Sequence, residues 1–217
     1  MSKLVLYRLV WIPSFLLVIF VLTTFSRPSA RSDTPGKLKL YAALDRSVMI
    51  LRPENWTVRE TDEHSFKNII RIESDKYTYL TISADSTSSL LAAIDNAPGA
   101  TGDRMREITG AGINPLQKLH LAKGTDLETL KRYHYYTEGS TTGVQIAGMD
   151  AFVTDFTYKE LLLSGWKKMS GIRATLITGD RRIQLIGHCP RESEKVIMPV
   201  LNKMILSLQV VQSGGKP

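Results

Sequence analysis

An uncharged run of seventeen residues, Leu9 to Phe25, places the strongest constraint on what this chain can become. It is preceded by two basic residues, and its length is at the short end of the range for a transmembrane helix. A basic start and an apolar centre also describe a cleaved signal peptide, but Arg27 and Pro28 lie where cleavage needs small neutral residues. We predict that residues 1–31 form an uncleaved membrane anchor; the alternatives are a signal peptide that releases a soluble secreted protein and a buried helix.

The basic residues on either side of this run bear on its orientation. Lys3 and Arg8 precede it, whereas Arg27 and Arg31 follow it, so the positive-inside rule pulls in opposite directions. A short basic N-terminus is the usual form of an exported chain. We therefore predict that the chain spans the membrane once, with its globular part in the periplasm or outside the cell.

Composition divides the rest of the 217-residue chain into a linker, one globular domain and a short tail. Residues 32–43 begin with Ser, Pro and Gly and show no apolar period, which predicts a linker. Residues 44–210 are predicted to form one globular domain, and residues 211–217 a disordered tail. The formal net charge is +7, but part of it belongs to the N-terminal segment, so we do not expect a nucleic-acid-binding surface.

The last third of the domain has the clearest pattern. Alternation with a period of two predicts strands around residues 152–158, 172–176 and 182–189, with a hairpin turn at Gly179-Asp180. Apolar residues then recur every three or four positions, which predicts a closing helix that Pro199 bends without breaking.

Earlier in the domain the patterns are shorter. Strands are predicted at residues 48–51, 68–73 and 77–84, where Leu80, Ile82 and Ala84 face the core, and Trp56 is expected to pack against it. Spacing also predicts a helix over residues 86–96. A capping pattern at Thr125–Glu128 predicts a second helix that ends near residue 136.

The residue types that carry chemistry are few and scattered. A single cysteine, Cys189, excludes an intramolecular disulfide. The four histidines show no metal-ligand spacing, so we expect them on the surface or in loops; they are His64, His120, His134 and His188. His188 and Cys189 are neighbours on a strand, which turns them to opposite faces and argues against a thiolate–imidazole pair.

No phosphate-binding loop, dinucleotide fingerprint or nucleophile elbow is present. We predict no cofactor, no metal site and no catalytic activity, and interpret the chain as a binding or accessory domain for protein partners. The alternative is an exported enzyme with a site assembled from loops. Its candidate residues are Asp155, His134 and His188.

Tyrosines are dense in two parts of the sequence. Tyrosine is favoured at interfaces, so Tyr77, Tyr79, Tyr133 and Tyr135 are predicted as a possible partner surface. The interpretation that we favour is that these rings pack a helix end against a sheet face, and the partner surface is the sharper alternative.

Three stretches resemble the PsbP-like family. Pro53–Trp56 resembles its P-x-x-W opening, and Ile146–Ala151, followed by an aromatic strand, resembles its central G-x-x-A strand. The hairpin Ile172–Gly187 and a proline-containing helix that ends at Met204–Leu208 resemble its closing part. The resemblance implies an α+β fold, an α/β/α sandwich with helices on the faces of an antiparallel sheet. It also implies a non-catalytic role, as in photosystem accessory subunits, Ran-binding factors and uncharacterised bacterial exported proteins.

Overall fold

The structure is a computed structural model that describes residues 35–45, 47–61, 69–98, 103, 107 and 112–211. The predicted membrane segment, His64 and all but the first residue of the predicted tail lie outside the described residues. Within the described ranges, no helix combines the length and the apolar character that a bilayer span requires.

The described residues contain ten strands and three α-helices with defined bounds. The strands are β1 (Leu38–Ala42), β2 (Val48–Pro53), β3 (Thr57–Thr61), β4 (Ile69–Glu73), β5 (Tyr79–Ser86), β6 (His134–Ile146), β7 (Met149–Leu162), β8 (Gly165–Thr178), β9 (Arg181–Pro190) and β10 (Gln209–Val210). The helices are α1 (Thr87–Asp95), α2 (Pro115–Thr129) and α3 (Glu194–Leu206), and a 3-10 turn (Arg191–Ser193) precedes α3.

The strands form two antiparallel sheets. The larger has the order β3-β4-β5-β9-β8-β7-β6, and the smaller has the order β1-β2-β10. Tight turns join β6 through β9, and positive φ angles at Ala147 (52°), Gly148 (75°) and Gly179 (56°) suit the twist of such hairpins. The mixed α+β class with antiparallel sheets is as predicted.

One face of the large sheet is apolar. Its buried residues include Leu80 and Ile82 of β5, Ala174 of β8 and Leu185 of β9, and they join one core cluster with Ile50, Trp56 and the inner side of α3. Helix α3 continues through Pro199, as predicted, because its apolar side stays packed against β8 and β9.

The opposite face is polar and is also covered. Helix α2 contacts β6, β7 and β8, and α1 contacts α2 and β5. The buried polar residues on this face include Glu73, Asp85, Thr154, Arg173, Thr175, Arg182, Gln184 and His188, with His120 opposite them on α2. Burial of both faces is the feature that alternation alone does not reveal.

Two sequence predictions are wrong. The helix expected to end near residue 136 is α2, which lies about ten residues earlier because Asn114 caps it: the Asn114 side chain accepts from the Gln117 N–H (2.8 Å), and Pro115 holds the first helical position. Residues 134–136 begin β6 instead. The predicted linker also contains a strand, because residues 38–42 pair with β2 along their whole length.

Candidate binding site

A buried histidine lies at the centre of the polar face. His120 Nδ1 is 2.8 Å from Thr175 Oγ1, and its Nε2 is 2.8 Å from Thr154 Oγ1. Thr175 in turn donates to Gln184 Oε1 (3.1 Å), whose amide Nε2 donates to the Ala174 carbonyl (2.8 Å). Every hydrogen-bonding atom of the imidazole therefore has a side-chain partner.

This network assigns the tautomer of His120. Since the single hydroxyl proton of Thr175 goes to Gln184, Thr175 Oγ1 must accept from His120 Nδ1–H, and Nε2 is left to accept from Thr154. Burial and the nearby Arg173 charge lower the pKa of His120 to about 3. The ring is a neutral spacer between α2 and the sheet, not an exchangeable acid or base.

An ion pair lies beside this network. Arg173 is fully buried; its Nε (3.0 Å) and Nη2 (2.9 Å) both donate to the carboxylate of Glu138, and its Nη1 donates to the His120 carbonyl (2.6 Å). A Cβ on Gly124 of α2 would lie 2.4 Å from Glu138 Oε1, so glycine permits the helix to cross the pair closely.

The second buried histidine is enclosed by aromatic rings. His188 Nδ1 is 3.2 Å from the Tyr158 hydroxyl, and its ring centroid lies 4.8 Å from Tyr79 and 5.8 Å from Tyr133. Burial, with the charges of Arg132 and Arg71, lowers the pKa of His188 to about 3. Burial also raises the pKa of Tyr133 to about 12 and raises that of Tyr158.

The expectation of surface or loop histidines is therefore wrong for His120 and His188 and right for exposed His134. Alternation places His188 on the same side of its strand as Arg182 and Gln184, a pattern that by itself indicates a solvent-facing side, so its burial follows only from the fold. No sequence signal identified His120 either, because the apolar residues of α2 show no clear period.

The three catalytic candidates are not brought together. Asp155 is exposed on the face that carries α3, His188 is buried on the opposite face, and His134 packs edge-on against Trp166 (4.9 Å). Among the described residues, no three His, Cys, Asp or Glu side chains are grouped so as to hold a metal ion. Cys189 is buried opposite His188, and burial raises the pKa of its thiol to about 12.

The four predicted surface tyrosines have different environments. Tyr79 and Tyr133 are 8% and 4% exposed and surround His188, so they belong to the core and not to a partner surface. Tyr77 is half-buried, and Tyr135, at the start of β6, is 73% exposed. Of the four, Tyr135 alone presents most of its ring to solvent.

A mainly apolar cleft of about 880 Å³ opens beside the polar face. Helices α1 and α2 form one side of it, and the β6–β7 hairpin with β8 forms the other. Its lining includes Leu91, Leu116, Gly143, Phe152 and Ile177. The size is that of pockets that enclose a small ligand or a few side chains.

Strand β6 borders this cleft and is the last strand of the large sheet. Ile146 and Met149 close a two-residue hairpin, so β6 residues point their backbone groups alternately toward β7 and away from it. Thr142, Val144 and Ile146 bond β7, and the N–H and C=O of Gly143 and Gln145 point outward. No described strand pairs with that side.

The sequence matches no protein-family model and no curated protein sequence. It is similar to the solved structure of the cyanobacterial PsbP protein of Synechocystis, with a TM-score of 0.48, 10% identity and coverage of 86% of this chain and 98% of that one. It is also similar to LpqN of Mycobacterium tuberculosis, a protein involved in cell envelope biogenesis, with a TM-score of 0.48, 12% identity and coverage of 81% and 91%.

A protein from Bacteroides thetaiotaomicron gives a TM-score of 0.43 at 14% identity and covers 84% of this chain but 51% of its own. A PsbP protein is thus among the structures that this chain resembles, as its motifs predict. These likenesses concern the arrangement of strands and helices, and function is argued below from the site.

Proposed function

We propose that this chain is a non-catalytic accessory domain, held outside the cytoplasm by its N-terminal segment, that binds an extended segment of a protein partner at β6. The observation that carries the proposal is the outward-facing backbone of β6 beside the apolar cleft. In strand addition, main-chain bonds supply affinity and a neighbouring pocket selects side chains.

The edge suits an added strand. Sheet edges are commonly protected by charge, proline or shortness, yet residues 141–146 of β6 contain neither a charged residue nor proline. Gly143 projects no side chain into the cleft. Thr87, which lines the same cleft, has a buried hydroxyl without a hydrogen-bond partner in the described part of the chain. A bound segment could supply that partner.

The chemistry of the polar face favours binding over catalysis. Both buried histidines have a pKa lowered to about 3, and their ring nitrogens face hydroxyl groups of the protein itself. A general base needs a pKa near the working pH and access to substrate. These groups are suited to holding the sheet and α2 in a fixed arrangement behind the cleft.

Hydrogen exchange of the full-length chain tests whether the edge is free. The amides of Gly143 and Gln145 should exchange quickly, whereas those of Val144 and Ile146, which bond β7, should be protected. Protection of all four in the unbound protein would mean that something already covers the edge, and the proposal would then be wrong.

Peptides selected against the full-length chain from a random library test the binding itself. Gly143→Pro removes one outward N–H and leaves the bonds to β7, so binding should fall about tenfold. Gly143→Ala is the matched control, because its Cβ would meet Phe152 at an ordinary 3.8 Å. Equal peptide binding by the unchanged protein and both Gly143 variants would exclude this edge as the binding site. If the protein instead forms a dimer that Gly143→Pro abolishes, the segment added to β6 comes from a second copy of this chain.

Alkaline extraction of membranes tests the anchor separately. The anchored chain should remain in the membrane fraction, and its mature N-terminus should retain residues 1–31. A mature protein that begins near Arg31 would replace the anchor with a cleaved signal peptide, whatever the result at β6.

A further inference from the structure

A second surface lies at the far end of the β7–β8 hairpin. Strand β9 ends at Pro190, opposite Met169, so residues 159–168 pair with one another and have left the body of the sheet. In the described part, the one further strand pairing of this ribbon joins Lys159 to His134 of β6. The ribbon therefore protrudes.

The ribbon exposes large apolar side chains. Leu161 and Trp166 are cross-strand partners, 58% and 52% exposed, and Leu163 in the turn is fully exposed. The ring of Tyr135 lies 6.1 Å from that of Trp166 and extends the same surface. Single exposed leucines are ordinary on soluble proteins, whereas a contiguous group on a protruding tip marks an interaction site.

Positive charge surrounds this apolar group. The ribbon contains Lys159, Lys167 and Lys168 but a single acidic residue, Glu160. Lys167 is 3.6 Å from Glu192, whereas no carboxylate of the described chain lies within 4.0 Å of the other two amines. The Lys159 amine lies 4.5 Å from the centre of the Tyr135 ring, so its positive charge is held directly beside the exposed aromatic surface.

The described chain begins at the same end of the sheet. The Gly36 N–H donates to Asn55 Oδ1 (3.0 Å), two residues before β3 begins at Thr57. The row of paired residues that crosses the sheet from Thr57 is Glu73, Tyr79, His188, Gly171 and Phe156. The ribbon extends beyond that row on the side of Gly36. The predicted membrane segment precedes this point in the sequence.

We propose that the ribbon docks on an anionic lipid bilayer, with Leu161, Leu163 and Trp166 at the interface and the lysines toward acidic headgroups. Tryptophan and tyrosine favour the membrane–water boundary, and lysine is attracted to acidic lipid. Docking would turn the ribbon toward the membrane that anchors the chain. The proposal rests on the proposed function in that single respect, membrane association, and does not need the β6 partner.

A fluorescent label at the turn tests the contact. Leu163→Cys, in the full-length chain reconstituted into vesicles, takes an environment-sensitive dye, whereas Cys189 is buried and should not react. The dye should shift to a membrane-like emission in phosphatidylcholine with phosphatidylglycerol and remain water-like in phosphatidylcholine alone. Leu44→Cys is the matched control, because Leu44 is also an exposed leucine (85%) but lies in the β1–β2 turn, at the end of these strands opposite to Gly36.

A charge pair tests the lipid headgroup. Lys159→Gln with Lys168→Gln should lower the ratio of docked to free ribbon roughly 30-fold on the acidic vesicles. The control is Arg181→Gln with Lys203→Gln, exposed residues beside the β8–β9 turn and on α3, which makes the same change in net charge and should leave docking unchanged.

Three outcomes would overturn the proposal: a water-like dye on both vesicle types, equal docking by both charge variants, or a shift that requires an added protein. The last would assign the ribbon to a protein partner. Loss of anchoring appears in the alkaline extraction and loss of β6 binding in the Gly143 variants, so failure of the proposed function is distinguishable from failure at the ribbon.

Discussion

The two faces of the seven-stranded sheet are both buried, but different interactions hold them. On the face covered by α3, aliphatic side chains such as Ala174 and Leu185 pack without any polar atom to satisfy. On the face covered by α2, Arg173, Thr175 and Gln184, from the same two strands, are equally buried and hydrogen-bonded. Neighbouring residues of one strand therefore belong to two kinds of core.

The two faces differ in how they respond to substitution more than in how much each stabilises the fold. An apolar core loses area and contacts when a side chain is shortened, and the loss is graded. A buried polar network is stable when every group is paired, and removal of one member leaves its partners desolvated and unpaired. The polar face should therefore respond more sharply to change, and it should respond to pH.

Arg173→Met should have the largest effect, since it leaves the His120 carbonyl without its donor and Glu138 without its cation. The Tyr136 hydroxyl still donates to Glu138. We expect a loss of about 4 kcal/mol in the free energy of unfolding, measured by urea denaturation. Arg173→Met combined with Glu138→Leu should recover part of that loss, because the unpaired carboxylate is also gone. No recovery in the double variant would mean that packing, not pairing, holds this face.

Leu185→Ala gives the counterpart on the apolar face. Leu185 is fully buried, and its truncation should cost about 3 kcal/mol through lost burial and a residual cavity. Unlike the polar-face variants, it should leave the pH dependence of stability unchanged. A steeper or flatter acid limb in Leu185→Ala would indicate that the two faces are coupled.

Acidification should act through the polar face. His120 and His188 each have a folded pKa of about 3, below the unfolded value of about 6.5, so folding favours the neutral ring. The contribution of the two neutral rings to the free energy of unfolding is fully present above about pH 6.5. Below that pH it should fall by about 1.4 kcal/mol per pH unit for each histidine. Denaturation midpoints at several pH values measure the slope.

His188→Phe provides the control for this slope. It keeps a ring among Tyr79, Tyr133 and Phe156 and should remove about half of the acid dependence below pH 6.5. An unchanged slope in this variant would show that His188 already accepts a proton in the folded protein.

Gly124→Ala should have the smallest effect. It should lower the free energy of unfolding, although helix propensity alone predicts that it raises it. Alanine is the better helix former by about 1 kcal/mol, yet its Cβ would lie 2.8 Å from Arg173 Nη2 and closer still to Glu138. We expect a net loss of about 1 kcal/mol as the ion pair gives way. In the Arg173→Met, Glu138→Leu background the same change should stabilise the protein, and a loss in both backgrounds would contradict this account.

Local sequence patterns predicted many of the strands and helices. Alternation identified β5, β7, β8 and β9 and the turn at Gly179, and helical spacing identified α1 and α3. The capping pattern at Thr125–Glu128 misplaced α2, since a stronger cap at Asn114 begins the helix. Strand β6 was not predicted because its residues do not alternate between apolar and polar. Most of this edge strand is exposed, so its sequence does not distinguish a buried side from an exposed one.

Most of the candidate site could not be predicted from the sequence. The cleft is formed by α1, α2 and the β6–β7 hairpin, which are distant in the chain, and none of its lining residues was a predicted functional residue. Tyr79 and Tyr133 were among the candidates, but the fold places them around His188.

The sequence by itself determined which strands exist and which side chains share a face, because alternation is a property of the extended backbone. It also set His188 and Cys189 on opposite sides of one strand. Only the tertiary structure decided that both sides are covered, that His120 joins Thr154 and Thr175, and that β6 is an edge. Those outcomes depend on contacts between residues far apart in the chain, which no local pattern records.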